Sequence, residues 1–172
     1  MLYLIGGPPR MGKSTLAQKL LNDKKIAYVS TDGLTVMLKP AGIPSFYDRN
    51  KSERFFPYLE QFIERMLPVG PDYTIEGDSF TPQHAYILGE KCDVKAVFLG
   101  MSKVSVDNML DYTKHDKWVE RVTRNQLEDL AERIIQASVE IEKECSKYDI
   151  KYFDLSLGYN DKFADAYKSL IE

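Results

Sequence analysis

Gly7-Pro8-Pro9-Arg10-Met11-Gly12-Lys13-Ser14, residues 7–14, satisfies the spacing G-x-x-x-x-G-K-[ST] at every fixed position. Each residue type has a physical reason. A triphosphate needs many donors in a small space, and backbone N–H groups at a helix N-terminus supply them together with the helix dipole. Gly7 and Gly12 let the chain turn sharply and approach the phosphates closely. Lys13 places a point charge at the β- and γ-phosphates, and the Ser14 hydroxyl is a ligand for Mg²⁺. Pro8 and Pro9 carry no N–H, but they come early, so the donors from Met11 through Thr15 remain. Frequencies of roughly 7% for Gly, 6% for Lys and 12% for Ser plus Thr give a chance match of about 4 × 10⁻⁵ per position. The pattern is therefore read as a phosphate cradle rather than a glycine-rich turn.

The flanks agree with that reading. Leu2–Ile5 is a short apolar run before glycines and predicts a buried strand; Gly12–Leu21 predicts a helix. Further along, Ile26–Ser30, Asp72–Glu76, Val94–Leu99 and Lys151–Leu155 predict strands. Helices are expected over Asp32–Lys39, over 51–67, from Thr81-Pro82 onward, over 119–147 and after Asn160. In 51–67, Phe55, Phe56, Leu59, Phe62, Ile63, Met66 and Leu67 keep helical spacing, with Asn50 and Glu53 suited to a capping box. The long helix buries Leu127, Leu130, Ile134, Ser138, Ile141 and Cys145. Residues 101–118 are charged and weakly periodic and are read as a mobile connection. Five strands, each followed by helix, predict an α/β three-layer sandwich around a parallel sheet.

At 172 residues the chain fits one domain, 1–172, and its 44% hydrophobic content with eleven tyrosines and eight phenylalanines is enough to fill one core. The net charge of −3, without a basic run, argues against a nucleic-acid partner. Cys92 and Cys145 have no metal-ligand spacing and read as core residues. No apolar run reaches the ~18 residues of a membrane span. Leu2–Ile5 is too short for the apolar region of a secretory leader, so a cytoplasmic protein without a membrane partner is expected. Other nucleotide-binding classes fit less well. The third strand runs into Glu76-Gly77-Asp78 rather than D-x-x-G, and Asn50-Lys51-Ser52-Glu53 only approximates N-K-x-D and reads better as a helix start.

Leu4-Ile5-Gly6-Gly7-Pro8-Pro9-Arg10-Met11-Gly12-Lys13-Ser14-Thr15, with Val29-Ser30-Thr31-Asp32 after it, resembles the adenylate-kinase-like group of P-loop small-molecule kinases. Thr74-Ile75-Glu76-Gly77-Asp78 and Glu132-Arg133-Ile134-Ile135-Gln136 are similar to the 2-phosphoglycerate-kinase-type and zeta-toxin-type branch. The resemblance implies a five-stranded parallel sheet in order 2-3-1-4-5, a lid over about residues 101–125, and use of ATP with Mg²⁺.

It also implies site residues. Gly7, Met11, Gly12, Lys13, Ser14 and Thr15 would hold the nucleotide. Asp32 follows the second strand, where similar kinases contact the acceptor hydroxyl and take its proton; the other reading is an N-cap for the next helix. Glu76 and Asp78 end the third strand, where they would bind substrate or, for Asp78 together with Ser14, the metal; the other reading is a capped turn at Gly77. Arg121, Arg124 and Arg133 fall on the lid and its following helix, where arginines neutralise γ-phosphate charge; the other reading is solvated surface. Arg10 is a further candidate. Ser45-Phe46-Tyr47-Asp48-Arg49 is a candidate lining for the acceptor pocket, Trp118 adjoins the lid, and His84 and His115 receive no role. The expectation is a kinase moving the γ-phosphoryl of ATP to a hydroxyl or phosphate on a small-molecule acceptor. The rival is a nucleotide-dependent binding switch with slow hydrolysis and a protein partner.

Overall fold

Side chains of the first strand point alternately to two separate cores. The computed structural model describes residues 1–42, 50–68, 70–107 and 122–172. In β1 (Leu2–Gly6) every residue is buried. Tyr3 and Ile5 join one apolar cluster, and Leu2 and Leu4 join the other. Burial on both faces is the signature of a central parallel strand and explains why the run lacks polar alternation.

The sheet contains β2 (Ala27–Ser30), β3 (Tyr73–Gly77), β4 (Val94–Gly100) and β5 (Lys151–Asp154), in order β2-β3-β1-β4-β5, all parallel. Leu4 lies between Ile75 of β3 and Ala96 of β4. One face is covered by α1 (Lys13–Lys24) through Leu16, Ala17 and Leu20, and by α6 (Tyr159–Ile171) through Ala166 and Leu170. The other is covered by α3 (Lys51–Met66) through Phe55, Leu59 and Ile63, and by α4 (Pro82–Gly89) through Ala85 and Leu88. The long α5 (Arg124–Tyr148) gives Leu127, Ala131 and Ile134 to the first core and Cys145 to the second. Helix α2 (Thr31–Leu38) follows β2 directly and runs into a 3₁₀ turn over Lys39–Ala41. The three layers and the strand order are those expected.

Several helix starts differ from the sequence reading. Helix α2 is capped by Ser30, whose Oγ accepts from the Asp32 N–H at 3.3 Å, so Asp32 stands in the first turn and is not the cap. Asn50 precedes α3 but makes no side-chain cap bond, and Glu53 turns outward to another partner. Helix α5 begins at Arg124, because Thr123 and Gln126 close a capping box there. Helix α6 begins at Tyr159 after Gly158, so Asn160 lies inside it. Thr81 caps α4 as expected. Of the two cysteines, Cys145 is fully buried and its thiol is pushed up to about 12 by that burial, whereas Cys92 is only half-buried. Residues 108–121, which hold most of the 101–118 connection and of the lid expected over about 101–125, with His115 and Trp118, lie outside the described residues, as does the 45–49 stretch.

Candidate functional site

The C-terminal ends of β1, β2 and β3 lie side by side, as Ile5 pairs with Glu76 and Ser30 with Glu76 across the sheet. In an open parallel sheet this is the edge that faces the ligand crevice. The 7–15 loop leaves the central strand here. A Cβ on Gly7, at φ 136°, would lie 2.1 Å from the Leu99 carbonyl oxygen, so the loop rests on the β4 backbone where only glycine fits. Gly12, at φ 76° in the left-handed region, turns the chain into α1. Met11 points into the core and is 2% exposed, which anchors the loop from below. Ser14 and Thr15 open to solvent in the first turn of α1. The loop is thus shaped as an anion cradle, and its donor set suits polyphosphate.

Lys13 is the buried cation of this cradle. Its Nζ donates to the Pro8 carbonyl at 2.6 Å, bending the side chain over the loop it follows. Burial lowers its pKa, and the negative charges of Asp78, Glu76 and Asp32 work against that loss. Ser14 Oγ donates to Glu76 Oε1 at 3.1 Å, and Glu76 is 3% exposed. A hydroxyl backed by a buried carboxylate is a donor set that suits a magnesium ion and its waters. Among the described residues there is no group of three or more His, Cys, Asp or Glu side chains arranged as a self-sufficient metal cage.

Asp78 takes a different partner. Its Oδ1 accepts from Lys51 Nζ at 2.8 Å and from Ser79 Oγ at 3.1 Å. Lys51 is 4% exposed, so the pair lies largely out of water. Asp32 faces the same cluster. Its carboxyl keeps solvent access, yet its pKa is raised by partial desolvation and by the charge of Asp78, with Lys51 and Lys13 opposing. The structure therefore brings together Lys13, Ser14, Asp32, Glu76 and Asp78 from three segments. It adds Lys51, which the sequence reading treated only as part of a helix start. A signal was present. A lysine in the first turn of a helix opposes the macrodipole, so a carboxylate elsewhere was to be expected as its partner.

The arginines are less united. Arg121 lies outside the described residues. Arg124 is exposed and held by Asp107 at 3.6 Å and Glu128 at 3.4 Å, not by the carboxylates of the cluster. Arg133 is exposed on α5. Arg10, inside the loop, adopts φ 71°.

No family model and no curated protein sequence matches the chain. Solved structures do. The chain is similar to a gluconokinase from Sinorhizobium meliloti 1021 (TM-score 0.57, 15% identity, 99% of this chain and 90% of that one). It is similar to a shikimate kinase from Bacteroides thetaiotaomicron (TM-score 0.57, 13% identity, 99% and 95%). A shikimate kinase from Aquifex aeolicus vf5 is also similar (TM-score 0.50, 15% identity, 99% and 96%). At these identities the likeness is one of fold: a five-stranded, all-parallel sheet in order β2-β3-β1-β4-β5 that matches P-loop kinase structures.

Proposed function

We propose that this chain is an ATP-dependent small-molecule kinase that moves the γ-phosphoryl group to a hydroxyl or phosphate acceptor. The observation that carries the reading is the convergence of a phosphate cradle, a buried lysine and three carboxylates at one edge of the sheet. The three-carboxylate side favours a kinase over a binding switch, because a switch needs no groups for an acceptor. The fold likeness to a gluconokinase and shikimate kinases lends support, and the likeness of Thr74–Asp78 and Glu132–Gln136 to 2-phosphoglycerate-kinase-type and zeta-toxin-type proteins is part of the proposal.

In this reading the backbone of Gly7, Met11, Gly12, Ser14 and Thr15 holds the phosphates, and Lys13 exchanges the Pro8 carbonyl for phosphate oxygens. Ser14 would hold Mg²⁺, with Glu76 behind it accepting from a bound water. When bound, the ion neutralises charge on the β- and γ-oxygens. Asp78 would be the other carboxylate candidate to hold the metal, and its bond to Lys51 favours a place on the acceptor side. Asp32 receives the acceptor proton as the new O–P bond forms, and the bond between the γ-phosphorus and the leaving ADP oxygen breaks. Its raised pKa makes it a better proton acceptor than an ordinary carboxylate. Arg121, Arg124 and Arg133 are the candidates for meeting γ-phosphate charge. Arg124 would have to give up Asp107 and Glu128 to do so. The working unit is one domain, 1–172, with a lid over about 101–125, acting in the cytoplasm on a small molecule. Among the described residues no helix is long and apolar enough to cross a membrane.

The test is a library of hydroxylated and phosphorylated metabolites incubated with the protein, ATP and Mg²⁺ and read by mass spectrometry. One compound should gain a phosphoryl group and speed ATP consumption. Consumption that responds only to an added protein fraction would favour the switch.

A further inference from the structure

His84 lies in the first turn of α4, outside the cluster, and its side chain is 2% exposed. Its Nδ1 accepts from the Thr81 backbone N–H at 3.3 Å. In the neutral ring the proton is therefore on Nε2, which faces Glu53 Oε1 at 3.4 Å. Burial favours that neutral ring, with the Glu53 charge opposing. The ring also stacks on Phe56, with centroids 4.1 Å apart and planes 6° from parallel. Glu53 and Phe56 both belong to the start of α3, the segment that carries Lys51.

That segment is weakly held by its own helix, for two reasons. Pro57 lies inside α3 and has no N–H, so the Glu53 carbonyl lacks the bond that residue 57 would otherwise donate. The Lys51 charge opposes the helix dipole. Something outside the helix must hold this turn, because Lys51 is buried and placed 2.8 Å from Asp78. The Asp78 side of the pair is tied to the same histidine. Asp78, Ser79 and Phe80 lead straight into Thr81, where the His84 ring closes the capping box.

We propose that His84 is a positioning residue: one ring nitrogen fixes the end of the Asp78–Thr81 connection, while the other nitrogen and the ring face hold the first turn of α3, so that Lys51 stays on Asp78. The catalytic consequence, a correctly set acceptor side, rests on the kinase reading; the positioning itself does not.

The experiment uses the full chain and variants Glu53→Ala, Glu53→Gln, His84→Ala and His84→Gln. A short pulse of an amine-acylating reagent, read by peptide mass spectrometry, measures the accessibility of Lys51, with Lys13 as internal reference. Glu53→Ala and His84→Ala should raise Lys51 labelling and amide exchange over 51–56 by roughly ten-fold, the scale of one lost charge-assisted bond, and leave Lys13 unchanged. Glu53→Gln can still accept from Nε2. His84→Gln can accept from the Thr81 N–H and donate to Glu53. Both should keep most of the protection. The Glu53 side chain is 70% exposed, so Glu53→Ala carries the test if His84→Ala fails to fold. Wild-type Lys51 labelling in Glu53→Ala, with only a lower thermal midpoint in His84→Ala, would reduce His84 to a core residue. Calorimetry with ATP and Mg²⁺ on the parent separates the two ideas. No binding there would sink the kinase reading, while the labelling would still decide the role of His84. With an acceptor in hand, Glu53→Ala should raise its KM more than it lowers kcat.

Discussion

The two sides of the candidate site are built by different means. The phosphate side is one continuous stretch, Gly7–Thr15, and its working groups are mostly backbone. The acceptor side is a set of side chains, with Asp32 from α2, Lys51 from α3 and Asp78 from the end of β3, held by His84 on α4. A backbone cradle is specified by local rules: where glycine is required, where an N–H is free, where a helix begins. A side-chain cluster is specified by tertiary packing. On the proposed reading the first would bind any triphosphate, and the second would tell one acceptor from another.

The sharpest way to break this division is Asp32→Asn. The change keeps shape and removes the proton acceptor, so turnover should fall by roughly 10²–10⁴-fold. The low end is expected, since loose phosphoryl-transfer transition states ask little of a base. ATP affinity by calorimetry should stay near the parent value. A large loss of ATP affinity would mean that the two sides are not separate.

Lys13→Ala is the converse. ATP with Mg²⁺ should raise the thermal midpoint of the parent by mass action. The variant should lose about 10–100-fold in ATP affinity, the scale of a lost charge-assisted contact. Its circular dichroism should be unchanged. Equal binding by parent and variant would refute the cradle.

Lys51→Ala probes the acceptor side through stability. It leaves Asp78 without its ammonium partner in a largely dry place. The side chain of Asp78 keeps 19% exposure, so the cost is about 1–3 kcal/mol, below that of breaking a fully buried pair. Urea denaturation should show the shift, and Lys51→Met should recover part of it by filling the volume of the lysine stem.

The smallest effect is a pH dependence at His84. Burial holds its folded-state pKa below the ordinary 6.5. The unfolded chain therefore binds the proton first, and stability is complete above pH 6.5 and declines as pH falls from there toward the folded-state value. Two carboxylates face the same place: Glu53 from α3, and Glu144 from α5, which takes hydrogen bonds from Thr81 and Gln83. Burial raises the pKa of Glu144, which works in the opposite direction at lower pH. Thermal midpoints between pH 7.5 and 5.5 should fall in the parent and flatten in His84→Gln.

The same division explains what could be read from the chain alone. The strand sequence, the cradle and the Thr81 cap were legible because each is a local pattern of glycine, proline, hydroxyl and apolar spacing. Asp32 was legible as a candidate from its place after a strand, yet its competing role as a cap was settled only when Ser30 proved to hold that position. Lys51 and His84 were not legible as parts of a site. Their partners, Asp78 and Glu53, are 27 and 31 residues away in sequence, and nothing local forecasts such a meeting. Only the unfavourable placement of Lys51 at a helix start hinted at it.

The central position of β1 has a consequence for how the chain folds. Leu2 pairs with Tyr73 on one side and Val94 on the other, so β1 is enclosed only after β4, far along the chain, has been made. Such long-range parallel pairing is slow to form, because loop-closure entropy is lost before any contact repays it. On a ribosome adding 5–20 residues per second, roughly, the apolar run Leu2–Ile5 waits several seconds for β4 to emerge. During that interval at least one edge of this apolar strand is unpaired, and chaperone capture or aggregation competes with folding there. The strand that delivers the cradle is also the point at which biosynthesis of the protein is most exposed.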